Sequence, residues 1–143
     1  MLAAIIQARM GSTRLPGKTL AEIEGQPLLS LLVQRVKRAA LIDEMIIATT
    51  TETRDDILVK WAVQQGLPYA RGSETDVLDR IYQAALKYSV EHIVRVTPDC
   101  PLLDPEVLDR VIETYQSGNY DYVSNVLVPT YPDGLDVEVF SFA

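Results

Sequence analysis

At 143 residues, of which 48% are apolar and 23% charged, the chain has the composition of one globular domain rather than of a disordered or fibrous protein. The net charge of −7 disfavours general binding to nucleic acid or to an anionic membrane, because such partners select for a basic surface. The single cysteine, Cys100, excludes an internal disulfide and a cysteine-rich metal cage. We therefore expect a cytoplasmic protein with no nucleic-acid and no membrane partner.

The charges are unevenly distributed along the chain. Residues 1–40 contain six Lys or Arg against two Glu, whereas residues 41–143 contain seven Lys or Arg against eighteen Asp or Glu. Because positive charge attracts anions, a small anionic ligand is expected to bind to the first part of the chain.

The first predicted element is a strand over residues 3–8, since this run is nearly all apolar and ends at a polar segment that contains glycine. Such a strand lies at the centre of a parallel sheet. Pro27 is expected at the first position of the helix that follows, because proline suits that position. The apolar positions of this helix are Leu28, Leu29, Leu31, Leu32 and Val36.

A second strand is predicted over residues 45–48, followed by a helix that ends at Gly66. Thr53 and Asp56 have the spacing of a capping box at the start of this helix. Its buried face is expected to consist of Ile57, Leu58, Trp61 and Ala62.

A brief strand at residues 67–70 precedes a third helix over residues 75–88. The apolar side of this helix is expected to consist of Val77, Leu78, Ile81, Tyr82 and Ala85.

A further strand is predicted over residues 93–96. Asp104 is predicted to cap a fourth helix that has Pro105 in its first turn and Gly118 just past its end.

The last two predicted strands cover residues 122–126 and 135–140. Strands that alternate with helices indicate an α/β fold: a Rossmann-like, mainly parallel sheet with helices on both faces. In such a sheet, ligands bind beyond the carboxyl ends of the strands.

A loop with two glycines and three cations, residues 9–18, follows the first strand directly. Backbone amides of glycine-rich loops approach phosphate oxygens closely, and Arg9, Arg14 and Lys18 add positive charge. The loop matches neither G-x-G-x-x-G nor G-x-x-x-x-G-K-[ST], which disfavours dinucleotide binding and ATPase P-loop chemistry. The alternative is a solvated surface loop whose glycines only form turns.

An acidic segment, residues 97–105, follows the predicted strand at residues 93–96. Asp99 is placed to bind Mg²⁺, which takes one or two carboxylates together with phosphate oxygens and water. A structural turn is the alternative, because Asp beside Pro is common in tight connections. Cys100 has no neighbour that would activate its thiol and is expected to be unreactive.

Two further segments have both a structural and a functional interpretation. In residues 71–80, Ser73 and Asp76 have capping-box spacing, and Arg80 is placed to pair with Asp76. A capped helix start also binds anionic ligands, so both roles are compatible. Residues 132–138 form a turn into the last strand, which structure alone explains.

The run from Gln7 to Lys18, which fits R-x-G-S-x-R-L-P-G-K, resembles the signature of cytidylyltransferases that make CMP-activated sugar acids. Within that group it is most similar to the spore coat polysaccharide biosynthesis protein F family, which resembles acylneuraminate cytidylyltransferase. The segment D-x-P-L-L-D-P, which begins at Asp99, resembles the metal-binding motif of the same enzymes.

The resemblance implies a nucleotide-diphospho-sugar transferase (GT-A-like) fold and a Mg²⁺-dependent transfer of CMP from CTP to a sugar or sugar acid in surface or spore coat polysaccharide biosynthesis. The implied metal ligand is Asp99, and the implied catalytic residues are Arg9, Arg14, Lys18 and Asp99. The implied nucleotide-binding residues are Ala8, Arg9, Gly11, Ser12, Arg14 and Lys18, with Arg71, Ser73, Asp76 and Arg80 in the segment that contacts base and ribose. The implied substrate-binding residues are Asp133, Asp136 and Glu138.

Members of this family are longer and carry a later Asp-containing motif that completes the metal site. We therefore expect residues 1–143 to be a single nucleotidyltransferase domain and a C-terminally truncated fragment. A homodimer and the activity of this chain are left open. Two alternatives remain: a GT-A-like glycosyltransferase, although the chain lacks an Asp-x-Asp motif, and a domain that binds nucleotide without chemistry.

Overall fold

The computed structural model describes residues 1–142. The strands are β1 (Leu2–Gln7), β2 (Glu22–Ile23), β3 (Gln26–Pro27), β4 (Glu44–Thr50), β5 (Tyr69–Gly72), β6 (His92–Val96), β7 (Tyr122–Ser124) and β8 (Glu138–Ser141). The helices are α1 (Leu28–Val36), α2 (Asp56–Gln64), α3 (Val77–Lys87) and α4 (Pro105–Gln116), with short 3₁₀ helices at Lys18–Leu20 and Thr53–Asp55. None of the helices within this described range is long and apolar enough to cross a membrane.

The main sheet has six strands in the order β5-β4-β1-β6-β8-β7. The first four of these strands are parallel, β8 runs antiparallel to β6, and β7 runs antiparallel to β8. The separate pair β2 and β3 forms a small hairpin after the first loop. The predicted mainly parallel α/β sheet is therefore confirmed.

Helices cover both faces of the sheet. The side chains of a strand alternate between the two faces, so a strand that is apolar throughout presents apolar side chains to the helices on each face. Leu2, Ala4 and Ile6 of β1 pack on the face that α1, α2 and α4 cover. Ala3 and Ile5 pack on the opposite face, against α3. A strand that is apolar at every position is thus explained by burial on both sides.

Several predicted boundaries differ from the observed ones. Pro27 belongs to β3, and α1 begins one residue later, at Leu28. The strand predicted at residues 67–70 lies at Tyr69–Gly72. The last two strands are shorter than predicted because the Asn125 side chain takes over part of their pairing. Its Nδ2 donates to the Leu135 carbonyl at 2.8 Å and its Oδ1 accepts from the Val137 amide at 2.9 Å, beside a 3.3 Å backbone bond from the Asn125 amide to the Val137 carbonyl.

Two predicted helix faces are partly wrong. Ile57 is 50% exposed on α2, and Leu78 and Tyr82 are 71% and 46% exposed on α3. The buried face of α3 instead contains Ile81 and two small residues, Ala84 and Ala85, which let the helix lie close to the sheet.

The capping box predicted from Thr53 and Asp56 does not form. Thr53 lies in a 3₁₀ turn, and Asp55 occupies the N-cap position of α2. The Asp55 side chain is fully buried: Oδ1 accepts a hydrogen bond from the Met10 amide at 2.7 Å, and Oδ2 accepts one from the Thr50 hydroxyl. Asp55 therefore joins the end of β4 to the loop that follows β1.

Replacing Asp55 with Ala is expected to lower the free energy of unfolding by about 2–3 kcal/mol, because a buried amide and a buried hydroxyl lose a charged acceptor. Asp56→Ala is the control: its side chain is 47% exposed and pairs with Arg71 at the surface, so the expected loss is below about 1 kcal/mol. Urea denaturation measures both changes. An unchanged midpoint for Asp55→Ala contradicts the structural role of this carboxylate.

Candidate functional site

A cleft of about 450 Å³ opens at the carboxyl ends of β1 and β6. This is the edge of a parallel sheet at which ligands bind in open α/β folds. The loop after β1, the start of α3 and the segment after β6 form its walls. The cleft is lined by Gln7, Ala8, Arg9, Ser12, Thr13, Arg14, Leu15, Lys18, Thr19, Val77, Arg80, Thr97, Pro98 and Asp99.

The loop after β1 is folded back on itself. The Gly17 amide donates to the Met10 carbonyl at 3.0 Å, and the buried Thr19 hydroxyl donates to the Arg9 carbonyl at 2.9 Å. Gly17 has φ 76°, a left-handed conformation that favours glycine. These contacts hold the backbone of residues 9–18 in one shape at the cleft.

Lys18 and Asp99 meet in the cleft although they are 81 residues apart in sequence. Lys18 Nζ donates to Asp99 Oδ2 at 3.0 Å, and both side chains are partly exposed. Burial raises the pKa of Asp99, but the hydrogen bond and the charge of Lys18 outweigh it, so the pKa lies below its usual value. Asp99 is therefore an ionised carboxylate at neutral pH.

The other two predicted cations differ in their surroundings. Arg9 Nη1 lies 3.7 Å from Glu74 Oε1. Arg14 is exposed at the mouth of the cleft, and its side chain makes no ion pair or hydrogen bond with any other residue in the range 1–142. Arg14 is thus a cation of the cleft without a counter-ion among the described residues.

Arg54 does not line the cleft but supports the loop after β1, a role that the sequence does not predict. Its guanidinium lies against Gly11: a Cβ added to Gly11 would come within 2.9 Å of it. Glu74 holds Arg54 there through a hydrogen bond. The position of Arg54 in the sequence could have indicated this contact. Arg54 follows β4, and the carboxyl end of β4 lies at the same edge of the sheet as the carboxyl end of β1.

Arg80 lines the cleft and is 2% exposed. The predicted pair between Arg80 and Asp76 is wrong, since Arg80 Nη1 donates instead to the backbone carbonyl of Ser73. Its Nε has no partner among the described residues. Burial, followed by the charge of Arg9, holds the pKa of Arg80 below its ordinary value. Such a buried donor on a cleft wall is suited to a polar ligand.

Ser73 and Asp76 shape the start of α3 and do not line the cleft. The Asp76 amide donates to Ser73 Oγ at 3.0 Å, and Asp76 Oδ1 accepts from the Asp79 amide at 2.8 Å. Asp76, rather than Ser73, is thus the N-cap of α3.

Arg71 is held outside the cleft. Its Nε donates to the Thr50 carbonyl at 2.7 Å and its Nη2 to the Glu52 carbonyl at 3.0 Å. Its Nη1 pairs with Asp56 at 2.7 Å. The structure therefore brings Arg80 to the cleft but not Arg71.

The three predicted substrate-binding residues occupy two places. Asp133 and Asp136 line a small concavity of about 270 Å³ in the connection between β7 and β8. Glu138 lies apart from them and pairs with Arg95 at 2.6 Å.

Burial raises the pKa of the Cys100 thiol, and the charges of Asp99, Asp136 and Asp133 raise it further, so the thiol is protonated.

Asp99 is the residue of the cleft that fits a metal ion. Within residues 1–142, no three His, Cys, Asp or Glu side chains converge on a possible metal position. One ionised carboxylate beside a lysine nevertheless suits Mg²⁺, which needs few protein ligands when phosphate oxygens and water complete its shell. Asp104, as predicted, caps α4 instead, because its Oδ1 accepts from the Glu106 amide at 2.9 Å.

Comparison with known proteins identifies the family of this chain. The cytidylyltransferase family model matches residues 3–135. Spore coat polysaccharide biosynthesis protein SpsF of Bacillus subtilis is 46% identical over 129 residues, which cover 85% of this chain and 53% of SpsF. 3-Deoxy-manno-octulosonate cytidylyltransferase of Anaeromyxobacter sp. (strain K) is 36% identical over 121 residues, which cover 82% of this chain and 48% of that enzyme. The chain thus spans about half the length of these curated relatives.

Solved structures show the same architecture. A cytidylyltransferase from Leptospira borgpetersenii superposes with a TM-score of 0.93 at 34% identity, covering 99% of this chain and 60% of that one. Two further nucleotidyltransferases, each 16% identical, share the fold at TM-scores of 0.73 and 0.68. The fold is therefore that of the nucleotide-diphospho-sugar transferases. With a family match over residues 3–135 and relatives of this identity, the chain belongs to the cytidylyltransferase family.

Proposed function

We propose that this chain is the nucleotide-binding part of a Mg²⁺-dependent cytidylyltransferase that transfers CMP from CTP to a sugar or sugar acid. The observation that carries the proposal is the contact of Lys18 with Asp99 at 3.0 Å in the cleft. A cation beside an ionised carboxylate is suited to a metal-bound triphosphate, because the cation can bind phosphate oxygens and the carboxylate can bind Mg²⁺.

In the proposed reaction, an acceptor hydroxyl oxygen forms a bond to the α-phosphorus of CTP. The bond from that phosphorus to the oxygen bridging to the β-phosphate breaks, pyrophosphate leaves with the electron pair, and the hydroxyl proton passes to solvent. Positioning and charge neutralisation supply the catalysis, without a covalent protein intermediate.

The residues of the cleft have different roles in the proposed reaction. Arg9, Arg14 and Lys18 bind the triphosphate and stabilise the charge of the leaving pyrophosphate. Asp99 would hold Mg²⁺ in place of its contact with Lys18, and Lys18 would then be free to bind phosphate oxygens. When bound, the metal neutralises charge on those oxygens.

The base and ribose are assigned to the inner part of the cleft. Ala8 and Ser12 line the cleft with small side chains, so a planar ring can approach closely there. Gly11, which the resemblance also implied, does not line the cleft and lies against Arg54 instead. Arg80 offers buried N–H donors from the opposite wall. The preference for cytosine rests on the family match.

The acceptor and the pathway are inferred from relatives. One is named a 3-deoxy-manno-octulosonate cytidylyltransferase, which favours a sugar acid as acceptor. Another is named for spore coat polysaccharide biosynthesis, so we place this chain in surface or spore coat polysaccharide synthesis in the cytoplasm. The family match disfavours the glycosyltransferase alternative.

A second candidate function is nucleotide binding without turnover. It is favoured by one observation: Asp99 is the only carboxylate among the described residues that line the cleft. Pyrophosphate release separates the two functions.

Lys18→Ala is expected to weaken CTP binding about 10- to 100-fold in the presence of Mg²⁺, because a charged hydrogen bond to phosphate contributes about 1.5–3 kcal/mol. Isothermal titration calorimetry measures the affinity. Lys37→Ala removes an exposed lysine that lies outside the cleft, and its affinity is expected to equal that of the wild type. Equal affinities for both variants would remove the triphosphate assignment of Lys18.

Release of pyrophosphate is expected from CTP, in preference to ATP, GTP and UTP, when sugar acids are supplied with Mg²⁺. A coupled phosphate assay on each nucleotide, with neutral sugars and sugar acids as acceptors, measures this preference. Tight CTP binding without release of pyrophosphate in the presence of any acceptor would favour nucleotide binding without turnover. Absence of binding to all four nucleotides would reject both functions.

A further inference from the structure

Glu74 is a carboxylate that two arginines share, and the proposed reaction does not use it. It lies in the short segment between β5 and α3, and its side chain is 25% exposed. Arg54 Nη2 donates a hydrogen bond to Glu74 Oε1, and Arg9 Nη1 lies 3.7 Å from the same oxygen. Within residues 1–142, neither arginine pairs with another carboxylate. One negative charge therefore serves two positive ones.

The Glu74 carboxylate connects three segments of the chain. Arg9 belongs to the loop after β1, Arg54 to the turn after β4, and Glu74 to the segment that precedes α3. The Arg54 guanidinium in turn packs against Gly11 of the loop. Neither Arg54 nor Glu74 lines the cleft. Any effect of these two side chains on a bound ligand therefore has to pass through groups that do line it.

The segment that carries Glu74 also holds Arg80, on the wall of the cleft opposite the loop. Arg80 Nη1 donates to the backbone carbonyl of Ser73 and, at 3.5 Å, to that of Glu74. Burial and the charge of Arg9 hold the pKa of Arg80 below its ordinary value, and the charges of Asp55 and Glu74 partly offset this. A shift of residues 73–74 would therefore move Arg80 as well.

Removal of the Glu74 charge would free Arg54. Its side chain is 51% exposed, and no other side chain in the described part of the chain holds it. A long arginine side chain gains conformational entropy when it is released into solvent. Arg9, Arg54 and Arg80 would also repel one another with no carboxylate of residue 74 between them. The contact of Arg54 with Gly11 would be lost as a result.

We propose that Glu74 is a positioning residue of the nucleotide site. Through Arg54 and Arg9 its carboxylate links the loop after β1 to the segment that holds Arg80, and so fixes the distance between the two walls of the cleft. The inference rests on the proposed binding of CTP and adds a residue outside the cleft that controls it. CTP contacts both walls, whereas inorganic tripolyphosphate, which has no base or ribose, contacts only the loop. Loss of the link is thus expected to weaken CTP alone.

A role as a simple counter-charge predicts the opposite change. If Glu74 only neutralised Arg9 and Arg54, its removal would add one positive charge beside the loop, and every polyphosphate would bind more tightly. The two roles therefore differ in the sign of the change in CTP affinity.

The test is Glu74→Gln, which keeps the size of the side chain and removes its charge. Isothermal titration calorimetry with Mg²⁺ measures binding of CTP and of tripolyphosphate to the 143-residue chain. CTP is expected to bind about tenfold more weakly than to the wild type, as loss of a charged hydrogen bond predicts. Tripolyphosphate is expected to bind at least as tightly as to the wild type, which also shows that the variant is folded.

Glu52→Gln is the matched control. Glu52 is the N-cap of the 3₁₀ turn that contains Arg54, and its side chain pairs with none of the arginines in the range 1–142. Arg71 contacts only its backbone carbonyl, which the substitution keeps. The control removes the same charge from the same edge of the sheet, and its CTP affinity is expected to equal that of the wild type.

A double-mutant cycle shows whether Glu74 acts through Arg54. Arg54→Gln alone is expected to weaken CTP binding. The variant with both Glu74→Gln and Arg54→Gln is expected to bind CTP no more weakly than the weaker single variant, because side chains that act as one unit do not give additive losses.

Three results would overturn the proposal: CTP binds Glu74→Gln as tightly as the wild type or more tightly, CTP and tripolyphosphate are weakened equally, or the losses in the double variant add. Failure of the proposed function is recognised separately, because the wild type then does not bind CTP.

Discussion

The contact between Lys18 and Asp99 is the interaction on which the site depends. It is possible because β1 and β6 are neighbouring parallel strands, so the segments that follow them leave the sheet at the same edge. One segment contributes a cation and the other a carboxylate, and each neutralises the other at 3.0 Å. In the proposed function, a metal-bound triphosphate would supply opposite partners for both groups at once, and this exchange of partners would couple binding of the metal to binding of the nucleotide.

The loop keeps its shape through contacts from outside it. Asp55 binds the Met10 amide, the Thr19 hydroxyl binds the Arg9 carbonyl, and Arg54 packs against Gly11. These groups come from the end of β4 and from the turn after the loop. A backbone fixed before the ligand arrives does not have to be ordered on binding, which favours both affinity and catalysis.

The sequence predicts the parts of the site that are local. The loop after β1 and Asp99 after β6 were found because each directly follows a buried strand. The contacts of Arg54 with Gly11, of Arg71 with the backbone after β4 and of Arg95 with Glu138 were not found, since they join segments that are distant in sequence. The antiparallel direction of β8 was missed for the same reason: alternation predicts a strand and not its partner.

Exchange of the Lys18–Asp99 contact for a metal contact is tested most directly by the CTP affinity of Asp99→Asn with and without Mg²⁺. Mg²⁺ is expected to tighten CTP binding to the wild type and to Asp104→Asn, which keeps a helix-capping side chain on the same segment. For Asp99→Asn, equal affinities are expected in Mg²⁺ and in EDTA. Tightening by Mg²⁺ in Asp99→Asn as large as in the wild type would contradict a metal contact of Asp99.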